Sequence, residues 1–151
     1  MPKDNGPYKG TKVPVWKSKE DISKMLAKYQ INQSRWTEDL NQDKVMFEFV
    51  IKGDEHNYLV RIIPRPFYED HPQWDKSKGR NIKETVPNWA RTYRALYYYV
   101  KSKIEATAFG FHTIEEEFMP DIVINTSSGE LTLADAIMKK QGNLPSLDFK
   151  E

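Results

Sequence analysis

Residues 45–62 constrain this chain more than any other stretch. Val45, Phe47, Phe49 and Ile51 alternate with Met46, Glu48, Val50 and Lys52. That period of two belongs to a strand with one buried face. Lys52-Gly53-Asp54-Glu55 is turn chemistry, and Tyr58, Val60 and Ile62 then resume the alternation. The opposite face carries Glu48, Lys52 and Arg61 and is expected to be partly wet. A first strand over 31–38, anchored by Trp36, and a turn at Asn41-Gln42-Asp43 complete a three-stranded meander.

Helices are expected on both sides of this meander. Ser18, with Asp21 three residues on, reads as a capping box. Ile22, Met25, Leu26 and Tyr29 follow as one apolar stripe. A longer helix is expected from about Pro87 to Ala108, its stripe formed by Trp89, Tyr93, Leu96, Val100 and Ile104, with Gly110 past its end. Tyr97, Tyr98 and Tyr99 cannot all face one way. Thr113 with Glu116 caps a short helix that Pro120 ends. Ile122-Val123-Ile124 reads as a strand that turns at Ser127-Ser128-Gly129 and pairs back through Glu130-Leu131-Thr132. Thr132 with Asp135 opens a last helix through Lys140, closed by Gly142.

The expected fold is therefore α+β, a three-stranded antiparallel meander packed on a long helix, in the order α-β-β-β-α-α-β-β-α. Its expected core includes Ile22, Leu26, Phe47, Phe49, Val60, Ile62, Leu96, Val100 and Ile104. A chain of 151 residues fits one domain, placed at 15–142 between a flexible arm (1–14) and a tail (143–151). There is no cysteine, which excludes a disulfide scaffold, thiolate chemistry and the usual structural zinc sites. No apolar run approaches the ~20 residues of a membrane span, and Met1 to Gly6 lack the apolar stretch of a secretory signal. A cytoplasmic protein with no membrane partner is expected.

Charge is uneven along the chain. Residues 64–103 hold nine Lys/Arg against four Asp/Glu, whereas 104–138 hold seven Asp/Glu and no Lys/Arg. Either the two segments neutralise each other in space or each faces a partner. The basic part begins with a long link, 64–86, punctuated by Pro64, Pro66 and Pro72. Long links are usually functional or disordered. Arg65, Phe67, Tyr68, Trp74, Lys76, Lys78, Arg80 and Lys83 lie in this one, and Arg91, Arg94, Lys101 and Lys103 follow on the helix. Cations interleaved with aromatic platforms suit single-stranded DNA or RNA. The bland alternative is an aromatic cluster that packs the link onto the sheet.

Glu115, Glu116 and Glu117 with Asp121 and His112 are the densest group of metal-capable side chains. Acids in a first helical turn complement the helix dipole without any ion, so neither a metal nor a cofactor is expected. His56 and His71 read as surface residues. No phosphate-loop, dinucleotide-fold, nucleophile-elbow or H-E-x-x-H pattern occurs, and no catalytic residue is assigned.

Several stretches together resemble a family of small uncharacterised proteins encoded by phages and prophages. They are Trp89-Ala90-Arg91-Thr92-Tyr93-Arg94-Ala95-Leu96, Lys101-Ser102-Lys103-Ile104-Glu105, Gly110, and Thr113-Ile114-Glu115-Glu116-Glu117-Phe118-Met119-Pro120-Asp121-Ile122. Upstream, Val13-Pro14-Val15 and Pro64-Arg65-Pro66 fit the same pattern, so that the resemblance spans about 13–140. The insertion at 67–86 is longer than the pattern expects, and the last helix lacks its bulky aromatic. The resemblance carries no catalytic residues. It implies a context, the cytoplasm of a host cell, in which such proteins handle nucleic acid, modify host machinery or assemble virions.

Two expectations follow. The first is weak, sequence-independent binding of single-stranded DNA or RNA through 65–103, with Arg65, Lys76, Lys78, Arg80, Arg91 and Arg94 on phosphates and Tyr68 and Trp74 stacking. The second is docking of a basic host or phage protein on the acidic 105–135 segment, through Glu115, Glu117 and Asp121.

Overall fold

The computed structural model describes residues 6–139. The first five residues of the arm, Lys140 and Gly142 at the end of the last helix, and the tail from 143 lie outside that range. The elements are α1 (Val15–Ala27), β1 (Ser34–Asp39), β2 (Lys44–Lys52), β3 (Asn57–Ile62), β4 (Phe67–Asp75), β5 (Arg80–Asn88), α2 (Trp89–Thr107), α3 (Ile114–Glu117), β6 (Val123–Thr126), β7 (Gly129–Thr132) and α4 (Leu133–Lys139). A single 3-10 turn, Met119–Asp121, follows α3. Among the described residues no helix is long and apolar enough to cross a membrane.

The chain is α+β, with the meander and helices in the expected order. Strands β1-β2-β3 form one antiparallel sheet, with Phe47 opposite Trp36 and Ile62, and Phe49 opposite Val60. Alternation places Val45, Phe47, Phe49 and Ile51 on the inner face, where all four are buried. Trp36 stacks on Phe47 at 4.1 Å between ring centres. Helices α1 and α2 cover this face with Ile22, Leu26, Leu96, Val100 and Ile104, and all nine expected core residues are buried.

Three expectations change. Helix α1 starts at Val15, a turn before the expected cap, because the Pro14 carbonyl already accepts from the N–H groups of Lys17 (3.1 Å) and Ser18 (3.2 Å). Ser18 is buried inside the helix, and Asp21 bridges Lys17 and Arg94, at 3.0 Å from each. At the start of α2 the cap is Asn88, whose Oδ1 accepts from the Arg91 N–H at 3.0 Å, and Pro87 belongs to β5. The segment read as a link, 64–86, is mostly a β-hairpin formed by β4 and β5. Pro72 and Pro87 are tolerated there because a two-stranded ribbon has only edge strands.

The Thr113–Glu116 capping box is complete, and the Thr132 hydroxyl accepts from the Asp135 N–H at 3.3 Å at the start of α4. Strands β6 and β7 make a short hairpin beside β3, touching its edge through a bridge between Val60 and Ile122.

Candidate nucleic-acid interface

Strands β4 and β5 pair from Phe67 opposite Asn88 out to Asp75 opposite Arg80. Residues 68–74 are exposed without a break, so the ribbon has no buried face along most of its length. Its root is fixed by the Phe67 N–H, which donates to Thr92 Oγ1 at 3.0 Å, and by the Arg91 guanidinium, centred 4.0 Å from the Phe67 ring. A two-stranded ribbon is marginal by itself in water. Hydrogen bonds from Thr85 to Asp70 (2.8 Å) and from Asn88 to Glu69 (2.9 Å) brace its lower half.

At the tip, the Asp75 carboxylate accepts from the Ser77 hydroxyl (2.7 Å), the Ser77 N–H (2.9 Å) and the Lys78 N–H (3.3 Å). These bonds hold its carboxyl below the usual value. Gly79 takes φ +59°, a left-handed turn position that favours glycine. The only acid of the distal half is thus engaged by its own loop. Around it lie Lys76, Lys78, Arg80 and Lys83, all exposed. The acids Glu69 and Asp70 sit toward the root and Glu84 at mid-length, so the ribbon is polarised with a cationic end.

Alternation puts Tyr68, Pro72 and Trp74 on one face, with Asn81 and Lys83 opposite Trp74 and Pro72. Trp74 is 58% exposed although tryptophan is mostly buried in folded proteins. Tyr68 is half exposed and its hydroxyl reaches Asp43 at 3.4 Å. The two residues are six apart along one strand, so their backbone positions lie about 20 Å from each other.

The basic segment seen in the sequence therefore splits in two. Arg65, Lys76, Lys78, Arg80 and Lys83 form no ion pair among the described residues and are exposed. The two helical arginines expected on phosphates are interior instead. Arg91 is 3% exposed, donates from Nε to the Pro7 carbonyl at 2.9 Å and lies over Phe67. Arg94 is 9% exposed, pairs with Asp21 at 3.0 Å and stacks over Tyr97 and Tyr98 at 4.0 and 5.2 Å. Tyr98 in turn stacks on Tyr8 at 4.7 Å with planes 4° apart. Residues of the N-terminal arm and α1 thus enclose both guanidiniums. Lys101 pairs with Glu105 at 3.7 Å, and Lys103 donates to the Glu117 carbonyl at 3.1 Å.

The acidic residues Glu117 and Asp121 are engaged elsewhere. Glu117 lies 3.4 Å from His112 Nδ1, and Asp121 accepts the Tyr99 hydroxyl at 2.8 Å. Burial pushes both the Asp121 carboxyl and the Tyr99 hydroxyl above their ordinary values. Glu115 is half-buried in α3. Among the described residues no three acidic or histidine side chains converge as a metal site.

Lys83, a cation of the same segment that was not among the expected phosphate contacts, joins the cationic end because β5 folds back beside β4. One feature escaped the sequence reading. Phe109 and Phe111, 72% and 83% exposed, stack at 6.3 Å around Gly110. The signal for them was present: two aromatics flank a helix-ending glycine beyond the last apolar stripe. No family model, no curated protein and no solved structure matches this chain.

Proposed function

We propose that this chain is a non-enzymatic accessory protein, of the phage type its sequence resembles, that binds single-stranded DNA or RNA without sequence preference. The β4–β5 hairpin is the binding element. One observation carries this reading: Trp74 stands exposed on a ribbon whose distal cations have no acidic partner among the described residues. Such an arrangement offers a base a stacking platform and its phosphates a cationic flank. Arg91 and Arg94 take no part, since both are engaged inside the fold.

Anisotropy of a labelled single strand of about 20 nucleotides tests it. Trp74→Ala is expected to weaken binding by about 1–3 kcal/mol and to leave the melting temperature in place. A fall in melting temperature with unchanged affinity means that Trp74 packs the ribbon instead. Absence of binding at about 10 µM protein in low salt contradicts the reading outright.

A second reading is favoured by Phe109 and Phe111. An exposed aromatic pair beside Glu115 and Glu117 suits a partner protein with an apolar pocket and a basic rim. Phe109→Ala/Phe111→Ala and Glu115→Lys/Glu117→Lys are then expected to lose the same captured partner from a host lysate. Identical partners for the variants and the parent set this reading aside.

A further inference from the structure

A cleft of about 370 Å³ opens at the root of the hairpin, where the chain leaves β3. Its apolar walls include Ile62, Phe67 and Leu96, and its polar groups include Arg65, Tyr99 and Asp121. The volume falls within the range of small-molecule sites, which are apolar with a few convergent polar groups. Asp121, whose carboxyl burial pushes up, lines this cleft, a combination found at functional sites.

The polar groups define what fits. Arg65 is exposed and makes no ion pair among the described residues, so that its guanidinium suits a phosphate. Tyr99 donates its hydroxyl to Asp121 Oδ2 at 2.8 Å, which anchors the carboxyl and leaves Oδ1 to accept. An ionised carboxylate is acceptor-only, with about four lone-pair positions over its two oxygens. Among the four bases guanine alone presents two adjacent N–H donors on its pairing edge, N1–H and the 2-amino group. Phe67 and the aliphatic walls line the same cleft and offer apolar surface for a planar ring.

We propose that this cleft seats one unstacked guanine nucleotide, its pairing edge on Asp121 and its phosphate on Arg65. The inference rests on the hairpin reading, because the same strand would run from the cleft along β4 to Trp74. It adds a local base preference to binding that is otherwise indifferent to sequence.

Titration of the full chain with GMP, AMP, CMP and UMP, followed by amide chemical shifts, tests it. GMP is expected to bind at least about tenfold more tightly than the other three, the scale of one bidentate base contact. Asp121→Asn still accepts from Tyr99 but turns an N–H toward the base, and is expected to abolish the preference. Arg65→Ala is expected to weaken GMP and leave guanosine unchanged. Equal binding of all four nucleotides, or a GMP preference that survives in a folded Asp121→Asn, overturns the proposal. Oligo(dT) has no guanine and separates the two readings. If oligo(dT) binds while GMP shows no preference, the cleft fails and the hairpin stands. If GMP is preferred while oligo(dT) does not bind, the hairpin reading fails and the shared strand path with it, leaving a nucleotide site in the cleft alone.

Discussion

Glu48→Ala is expected to destabilise the protein by about 3 kcal/mol or more, in the range found when a buried ion pair loses one partner. Glu48 is 1% exposed in the middle of β2, directly opposite Arg35 of β1 and Arg61 of β3. Arg35 bonds Oε1 through Nε at 2.9 Å and a terminal nitrogen at 2.6 Å, while Arg61 Nε bonds Oε2 at 3.0 Å. The two arginines are not equivalent. Arg35 is largely exposed and returns to water cheaply, so Arg35→Ala is expected to cost under about 1 kcal/mol. Arg61 is mostly buried and among the described residues would keep only the exposed Glu130, at 3.0 Å. A Glu48→Leu/Arg61→Met pair should recover much of the loss, because it removes the uncompensated charge.

The same clamp sets a pH dependence. Burial pushes the Glu48 carboxyl up, but hydrogen bonds from Arg35 and Arg61 outweigh it and hold the native value below 4.5. A carboxylate with a lowered native value contributes stability above its unfolded value, and that contribution is lost as pH falls through the native one. Urea midpoints should therefore drop on acidification below about 4.5 in the parent, and drop less in Glu48→Ala.

Phe118→Ala is expected to cost about 3–5 kcal/mol, the usual loss for a fully buried phenylalanine. Phe118 is the only buried residue between Glu105 and Lys139. Its ring meets Phe49 edge-on, with centres 5.2 Å apart and planes at 86°. It follows α3 directly and is the one fully buried side chain by which this region enters the main core, with the half-buried Ile114 and Ile122 packed beside it. Truncation should raise amide exchange across 114–139 more than across β2 and β3, since that region would open sub-globally. Phe118→Leu, which keeps most of the volume, should cost under about 2 kcal/mol. Uniform exchange in Phe118→Ala would show that the C-terminal third is held by other means.

What the sequence disclosed, and what it hid, has a physical pattern. The meander was legible because one face of β2 and β3 is buried, and that alternation shows directly in the order of residues. The stripe of α2 and the Thr113 cap were legible for the same local reason. The β4–β5 hairpin was not, because both its faces are exposed and no apolar alternation exists to be read. Pro72 and Pro87 argued against strands that only an edge position permits. Ser18 and Asp21 matched a capping box by spacing, yet Pro14 starts the helix earlier and Arg94 uses both side chains. Arg91 and Arg94 lie off the apolar stripe and read as solvated. Their burial comes from α1 and the N-terminal arm, through contacts to Asp21 and Pro7 that span more than seventy residues. The basic character of 65–103 was therefore visible, but its division into an interior half and an exposed half was not.

That division is the central claim, and a salt titration tests it directly. With Arg65, Lys76, Lys78, Arg80 and Lys83 each on a phosphate, the slope of log affinity against log salt on a single strand should be about −3.5. Lys76→Glu/Lys78→Glu/Arg80→Glu is expected to lower affinity, reduce the slope to about −1.4 and leave the melting temperature unchanged. A parent-like slope in that folded variant would contradict the account, since the cations that meet the strand would then lie elsewhere on the protein.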